Sequence, residues 1–254
     1  MRVGAQLTPP RQHIVADDPR IASTTDGFAA VQSFARGGLG AGWGAGVFPF
    51  TGEDLAPMGL TLADMQPHYD AVVGRIGVAG PPDDLDPFFP ASPGLLPALE
   101  LDSNAEAVFA AYERRRVAMN RRGFFLGRTR LAVATREHDG RGPESYRDMA
   151  YWADPDRSVY RPQWTLEQLE RMPGFTYLAG QLVRRFVEDE SGVTVETTCL
   201  ASGIGEEHRA PALVLAAGTF GSARIALRSL ERWDTPVPVL CNPYTYVPTV
   251  NMRA

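Results

Sequence analysis

Between Ser33 and Pro49 the chain reads SFARGGLGAGWGAGVFP, seventeen residues of which six are glycine, around a single tryptophan, Trp43. Each glycine surrenders more backbone freedom on folding than any other residue and packs no side chain. Such a run is kept where main chain must approach something flat or highly charged more closely than a Cβ allows. A phosphate, a pyrophosphate or a planar ring system fits that description. The segment therefore predicts a ligand-contacting loop, not an ordinary stretch of core.

The rest of the chain sets bounds on the ligand. Its 254 residues suffice for one large domain or two modest ones. With 44% hydrophobic and 22% charged residues and a formal net charge of −5, it is a poor candidate for nucleic-acid or anionic-membrane binding. The cluster Arg114, Arg115, Arg116, Arg121 and Arg122 is the exception, and at helical spacing it reads as a solvated face rather than a phosphate site. Cys199 and Cys241 lie far apart, with no CxxC pair, so a disulfide framework and a zinc site are not expected, and both thiols read as buried and structural. The N-terminus has no apolar core of a secretory signal, and the longest apolar run, Ala210 to Ala217, is too short to span a bilayer. A soluble cytoplasmic protein is expected.

Local patterns give elements. Residues 1–32 read as an extended arm. Thr61 with Asp64 caps a helix whose stripe is Leu62, Met65, Tyr69, Val72, Val73 and Ile76, ending at Gly77. Gly80 to Leu101 is a proline-rich loop. Ser103 with Glu106 is a capping box for a helix of roughly five turns. Phe124 to Thr135 is a candidate strand. Thr165 with Gln168 predicts a short helix stopped by Pro173-Gly174. From Phe175 the period becomes two, giving a hairpin of Leu178–Glu188 and Val193–Cys199 about the turn Glu190-Ser191-Gly192. The unbroken apolar run Ala212 to Gly218 predicts a strand buried on both faces, followed by a helix over Gly221–Leu230.

Strand, Ala-Ala-Gly and helix together suit a phosphate or ribose contact at a sheet edge, although many αβ units share the pattern with no ligand. No G-x-G-x-x-G fingerprint occurs, so a self-standing dinucleotide site is not written here. The glycine run from Arg36 to Gly44 and the later Ala212–Ser222 segment jointly resemble the glucose–methanol–choline family of FAD-dependent oxidoreductases, near its pyranose oxidase-like branch. Ala35–Gly38, Trp43–Pro49, Glu53-Asp54-Leu55 and Pro67-His68-Tyr69 also fit that pattern.

The resemblance implies an α/β (α+β) fold: a partial FAD-binding domain with three-layer character plus an incomplete substrate domain. Its segments would be 1–55 (FAD-contacting arm and glycine loop), 56–174 (helical and irregular, substrate side), 175–230 (return to the FAD domain) and 231–254 (start of a substrate domain). It implies an FAD site at Arg36, Gly37, Gly38, Leu39, Gly40, Ala41 and Trp43, with Val183 pairing its backbone with adenine and Ala216, Ala217 and Gly218 beside the ribose or phosphates. Trp43 is either that flavin contact or a core aromatic, and its place inside the glycine run favours the contact. Gly42 stands where some relatives carry the histidine that attaches FAD, so the flavin would be held non-covalently. The implied activity is oxidation of an alcohol or sugar hydroxyl by hydride transfer to flavin.

Two departures qualify this. The chain carries neither the family's initial fingerprint nor its terminal catalytic histidine. His13, His68, His138 and His208 read as surface or packing residues, and Glu53 and Asp54 as solvated loop carboxylates before general bases. The catalytic residues are therefore unassigned. The expectation is a fragment that alone binds FAD poorly and turns over nothing, and whose exposed sheet edge favours association. The alternative is a catalytically incomplete remnant that acts only with a partner, or not at all; an unrelated αβ nucleotide-binding protein is a third reading.

Overall fold

A computed structural model of the chain describes residues 14–15, 19–21, 23–24, 26, 31–89, 92–147 and 154–239. His13, Cys241, most of the 1–32 arm and the end of the 231–254 segment lie outside the described residues. The fold mixes helices with a three-stranded antiparallel sheet, an α+β arrangement. Contacts divide it into two compact units, one of residues 43–161 and the other of the described residues up to 42 and from 162 onward.

The 43–161 unit opens with α1 (Gly52–Leu55) and α2 (Leu62–Ile76), each started by a reciprocal capping box, Thr51 with Asp54 and Thr61 with Asp64. Of the α2 stripe, Val73 and Ile76 are buried, whereas Val72 is 46% exposed. Gly77 ends the helix in a left-handed turn, φ 66°, against the side chains of His138 and Arg141. Val73 and Ile76 join Ala45, Val78, Ala132, Val133 and Val159 in one core. Extended segments cross that core through isolated bridges, Gly46 with Leu131, Ala79 with Leu96 and Leu131, and Val133 with Val159.

The candidate strand over Phe124–Thr135 is reduced to those bridges at Leu131 and Val133. The reason lies in its first half, where a side chain takes the ladder donor: the Asp83 carboxylate accepts the Arg128 backbone N–H at 2.6 Å. The predicted five-turn helix is likewise divided, into α3 (Ser103–Glu113) and α4 (Arg116–Asn120). Asp102, not Ser103, caps α3, accepting from the Ala105 N–H at 2.8 Å. Eight residues of unbroken helix would rise about 12 Å. The break at Arg114-Arg115 instead lets Tyr112 and Asn120 converge, 2.7 Å apart, on the carboxylate of Asp84.

The second unit carries α5 (Pro162–Leu169), β1 (Gln181–Asp189), β2 (Gly192–Cys199), β3 (Gly205–Ala210) and α6 (Gly218–Ser229). Proline at the first position of α5 gives up a donor that has no helical partner anyway. That start places Thr165 inside the helix, where it cannot be the predicted cap. The hairpin forms as expected, with a bulge between Val183 and Arg185. β3 extends it to an antiparallel meander in the order β1-β2-β3. Against β1 lies α6, whose Ser229 hydroxyl accepts the Phe186 N–H at 2.9 Å.

The hairpin turn is fixed electrostatically. Asp189 accepts from the Ser191 N–H at 2.8 Å and from Arg209 Nη2 at 2.7 and 3.0 Å. The Arg209 hydrogen bond, and then those of Ser191, hold its carboxyl well below the ordinary value of 3.8. Because the folded pKa is depressed, this contribution is complete above the unfolded pKa and disappears as pH falls through the folded one. An NMR titration of the Asp189 carboxyl is expected to show a midpoint below 3.8 that Arg209→Gln raises towards it. An unchanged midpoint in the variant would contradict the assignment.

The largest correction concerns residues 212–216. They form no regular element and pair with no strand among the described residues, and Val214 is 89% exposed. The β3 ladder ends at Ala210, before Pro211, which lacks the N–H needed to continue it, and no described strand lies beside 212–216 to make them a doubly buried strand. Among the described residues, no helix is long and apolar enough to cross a membrane.

Candidate functional site

The glycine run folds as a tight turn. Gly37 and Gly38 adopt left-handed φ of 85° and 57°, the Gly38 N–H returns to Ala35 O at 2.8 Å, and Gly38–Gly42 forms a 3-10 turn. The glycines have different jobs. A Cβ on Gly40 would lie 2.6 Å from Pro162 Cγ, and one on Gly37 3.2 Å from Gln163 N. Gly40 is therefore required by packing on the start of α5, while Gly37 is held to glycine by its left-handed φ with only tight packing beside it. Gly38 has no heavy atom within 4 Å of that position, so it offers open backbone.

The flanking residues are partly engaged by the protein itself. Arg36 pairs with Glu170 and lies 5.5 Å over the Tyr177 ring. Leu39 is 45% exposed and Ala41 is buried. Val183 stands on the edge strand β1, directly before its bulge. Ala217 precedes α6 with no side-chain cap of its own, and its N–H donates to Ser222 Oγ at 3.0 Å. Gly218, at φ 74°, begins α6 three residues before the predicted start, with open space where a Cβ would be.

Arg36 to Ala41, Val183, Ala217 and Gly218 thus share one unit, and Trp43 belongs to the other. Trp43 packs against the core there, with its Nε1 donating to Tyr160 O at 2.8 Å. Its surroundings are those of a core aromatic.

The titratable groups near the run have structural tasks. Hydrogen bonds from Thr51 lower the Asp54 pKa, as expected of a cap and unfavourable for a general base. His68 is exposed, and His208 Nε2 sits 3.3 Å from Thr197 Oγ1. Cys199 is half-buried, not enclosed as expected, and its thiol pKa is lowered chiefly by Ser202. Among the described residues no group of histidine, cysteine and carboxylate side chains could hold a metal ion.

Two clefts escaped the sequence reading, and both lie in the 43–161 unit. One, of about 950 Å³, is lined by residues including Asp83, Asp84, Phe109, Arg116, Arg121 and Arg128. The second, of about 1240 Å³, shares Phe109 and Arg128 with it and is otherwise mostly apolar. None of the residues expected at the FAD site lines either cleft. All five arginines of the cluster are exposed, as expected of a solvated face, and Arg116 and Arg121 also line the first cleft. The unassigned segment 137–161 also holds a buried ion pair, Arg161 Nε to Asp154 Oδ2 at 3.3 Å, with both side chains 4% exposed.

Among known proteins, no family model matches this chain, and no curated protein matches it.

Proposed function

We propose that this chain supplies part of a non-covalent FAD site of an alcohol- or sugar-oxidising flavoenzyme. The observation that carries the reading is a pair of open left-handed glycines in one unit, Gly38 in the glycine turn and Gly218 at the head of α6. Both leave main chain accessible without a Cβ, as close approach to pyrophosphate or a flat ring demands. Val183 lies on β1, the edge strand among the described residues, where a backbone pairing with an adenine would have to form beside α6. Flavin supplies the hydride-accepting chemistry, and the chain's own part is to bind and orient it. The catalytic base is unassigned, and the substrate is an alcohol or sugar known only by class.

Titration of the isolated chain with FAD, followed by flavin fluorescence, is expected to show weak saturable binding and no alcohol oxidation. Gly38→Val and Gly218→Val should each weaken it about tenfold or more. Absence of saturable binding, or variants that bind like the parent, would overturn the proposal.

A second reading is favoured by Val214. An apolar run with an 89% exposed valine and no partner strand among the described residues is adhesive. On this reading the chain is an incomplete module that associates through residues 212–216. Sedimentation velocity should then show concentration-dependent association that Val214→Lys abolishes. A monomer at every concentration would exclude it.

A further inference from the structure

We infer that the two clefts of the 43–161 unit form one site for an amphipathic monoanion, an alkyl chain ending in a carboxylate, with Arg128 at the junction. This inference is independent of the FAD reading, since the clefts contain none of its residues.

Most of the carboxylates around the clefts already have protein partners. In the polar cleft, Asp83 accepts the backbone N–H groups of Leu85 at 2.9 Å and Arg128 at 2.6 Å. That contact is why residue 127 is glycine, since a Cβ there would lie 2.4 Å from Asp83 Oδ1. Asp84 is held by Tyr112 and by Asn120 Nδ2 at 2.9 Å, and these two bonds lower its pKa. The carboxylates of the cleft are thus largely committed to protein donors. Its arginines are not. Arg116 meets Glu113 only at 3.6 Å, with half of its side chain exposed. Arg128 spends one long bond, Nη1 to Leu99 O at 3.4 Å, and rests 5.6 Å over the Phe109 ring. Arg121 opens into the same cleft. Guanidinium forks with spare donors and an aromatic backing are suited to a carboxylate.

The lining sets the ligand's charge. Over the two clefts five carboxylates, Asp83, Asp84, Glu100, Asp102 and Glu113, stand among three arginines, Arg116, Arg121 and Arg128. Asp83, Asp84 and Asp102 are held by protein donors, which leaves Glu100 and Glu113 opposite the three guanidinium groups. A dianion such as phosphate would meet like charge on several sides, whereas a monoanion seated on Arg128 meets less of it. The second cleft sets the ligand's body. Leading away from Arg128 it presents Leu99, Leu101, Ala105, Val108, Leu126 and Leu131, with Glu100, Asp102, Asn104 and Thr129 as its polar members. An alkyl tail there would leave water while its carboxylate stayed at the arginines. The volumes, about 950 and 1240 Å³, match or exceed the roughly 300–1,000 Å³ of common ligand sites.

Calorimetry with dodecanoate below its micelle concentration tests this on the full chain. Saturable binding is expected, with dodecanol at least tenfold weaker, inorganic phosphate not bound, and amide shifts confined to residues 80–131. Arg128→Met should weaken dodecanoate at least tenfold. Arg121→Gln, at an exposed side chain, keeps the test open if the first variant fails to fold, and should weaken binding about threefold. Equal affinity for dodecanol, preference for phosphate, an unaltered affinity in both variants, or shifts elsewhere would each overturn the inference.

Discussion

Asp154→Ala is expected to destabilise the 43–161 unit by about 3–5 kcal/mol, the usual cost of breaking one side of a buried ion pair. Asp154 Oδ2 faces Arg161 Nε at 3.3 Å, and its Oδ1 accepts the Val159 N–H at 3.1 Å. Val159 is fully buried in the core, so the carboxylate ties the charged pair to the packed interior. Alanine removes the countercharge and two acceptors together. Asp154→Asn keeps an acceptor of the same shape and should lose less. Urea unfolding of the three proteins measures this, and a loss below about 1 kcal/mol for Asp154→Ala would contradict the role given to the pair.

Gly192→Ala should damage the other unit comparably. Gly192 sits at φ 136°, where an L side chain is strained, a cost of about 1–3 kcal/mol by itself. An added Cβ would also lie 2.5 Å from the carbonyl oxygen of Ala210, a backbone atom that moves only if the β2–β3 pairing moves. The expected result is a large drop in thermal midpoint with loss of amide protection across β2 and β3. A melt within about 2 °C of the parent would show that the meander relaxes freely. Gly38→Ala has open space around it and is the contrasting case, costing backbone strain alone.

What was legible in the sequence was what local chemistry decides. The Thr61 box and Gly77 bound α2, because a hydroxyl and a carboxylate three residues apart satisfy the first turn whatever surrounds them. The β1–β2 hairpin was legible because its alternation and turn lie within twenty residues. What was hidden depends on distant partners. β3 reads Gly-Glu-Glu-His-Arg-Ala, too polar to suggest a strand, and forms because β2 is there to pair with it. Residues 212–216 failed the opposite way: their apolar composition implied two neighbours that the described residues do not provide. The break between α3 and α4 follows from Tyr112 and Asn120 meeting Asp84, 28 and 36 residues upstream of them.

The same distinction governs the candidate site. Glycine composition pointed to Gly37, Gly38 and Gly40 alike, yet Pro162 accounts for Gly40 and a left-handed φ with Gln163 alongside for Gly37, which leaves Gly38 as the open one. Trp43 was singled out by its neighbours in sequence, whereas the Tyr160 carbonyl that holds its indole is 117 residues away. Arg128 and Phe109 carried no motif, and only folding brings them to the same wall.

On the proposed reading, Gly38, Val183 and Gly218 contact one FAD molecule. Amide chemical shifts of the labelled chain, recorded as FAD is raised to millimolar concentration, test it most directly. All three amides are expected to move along one common binding curve, while those lining the 80–131 clefts stay still. Shifts that follow separate curves, or that leave Gly38 and Gly218 unmoved, would contradict it.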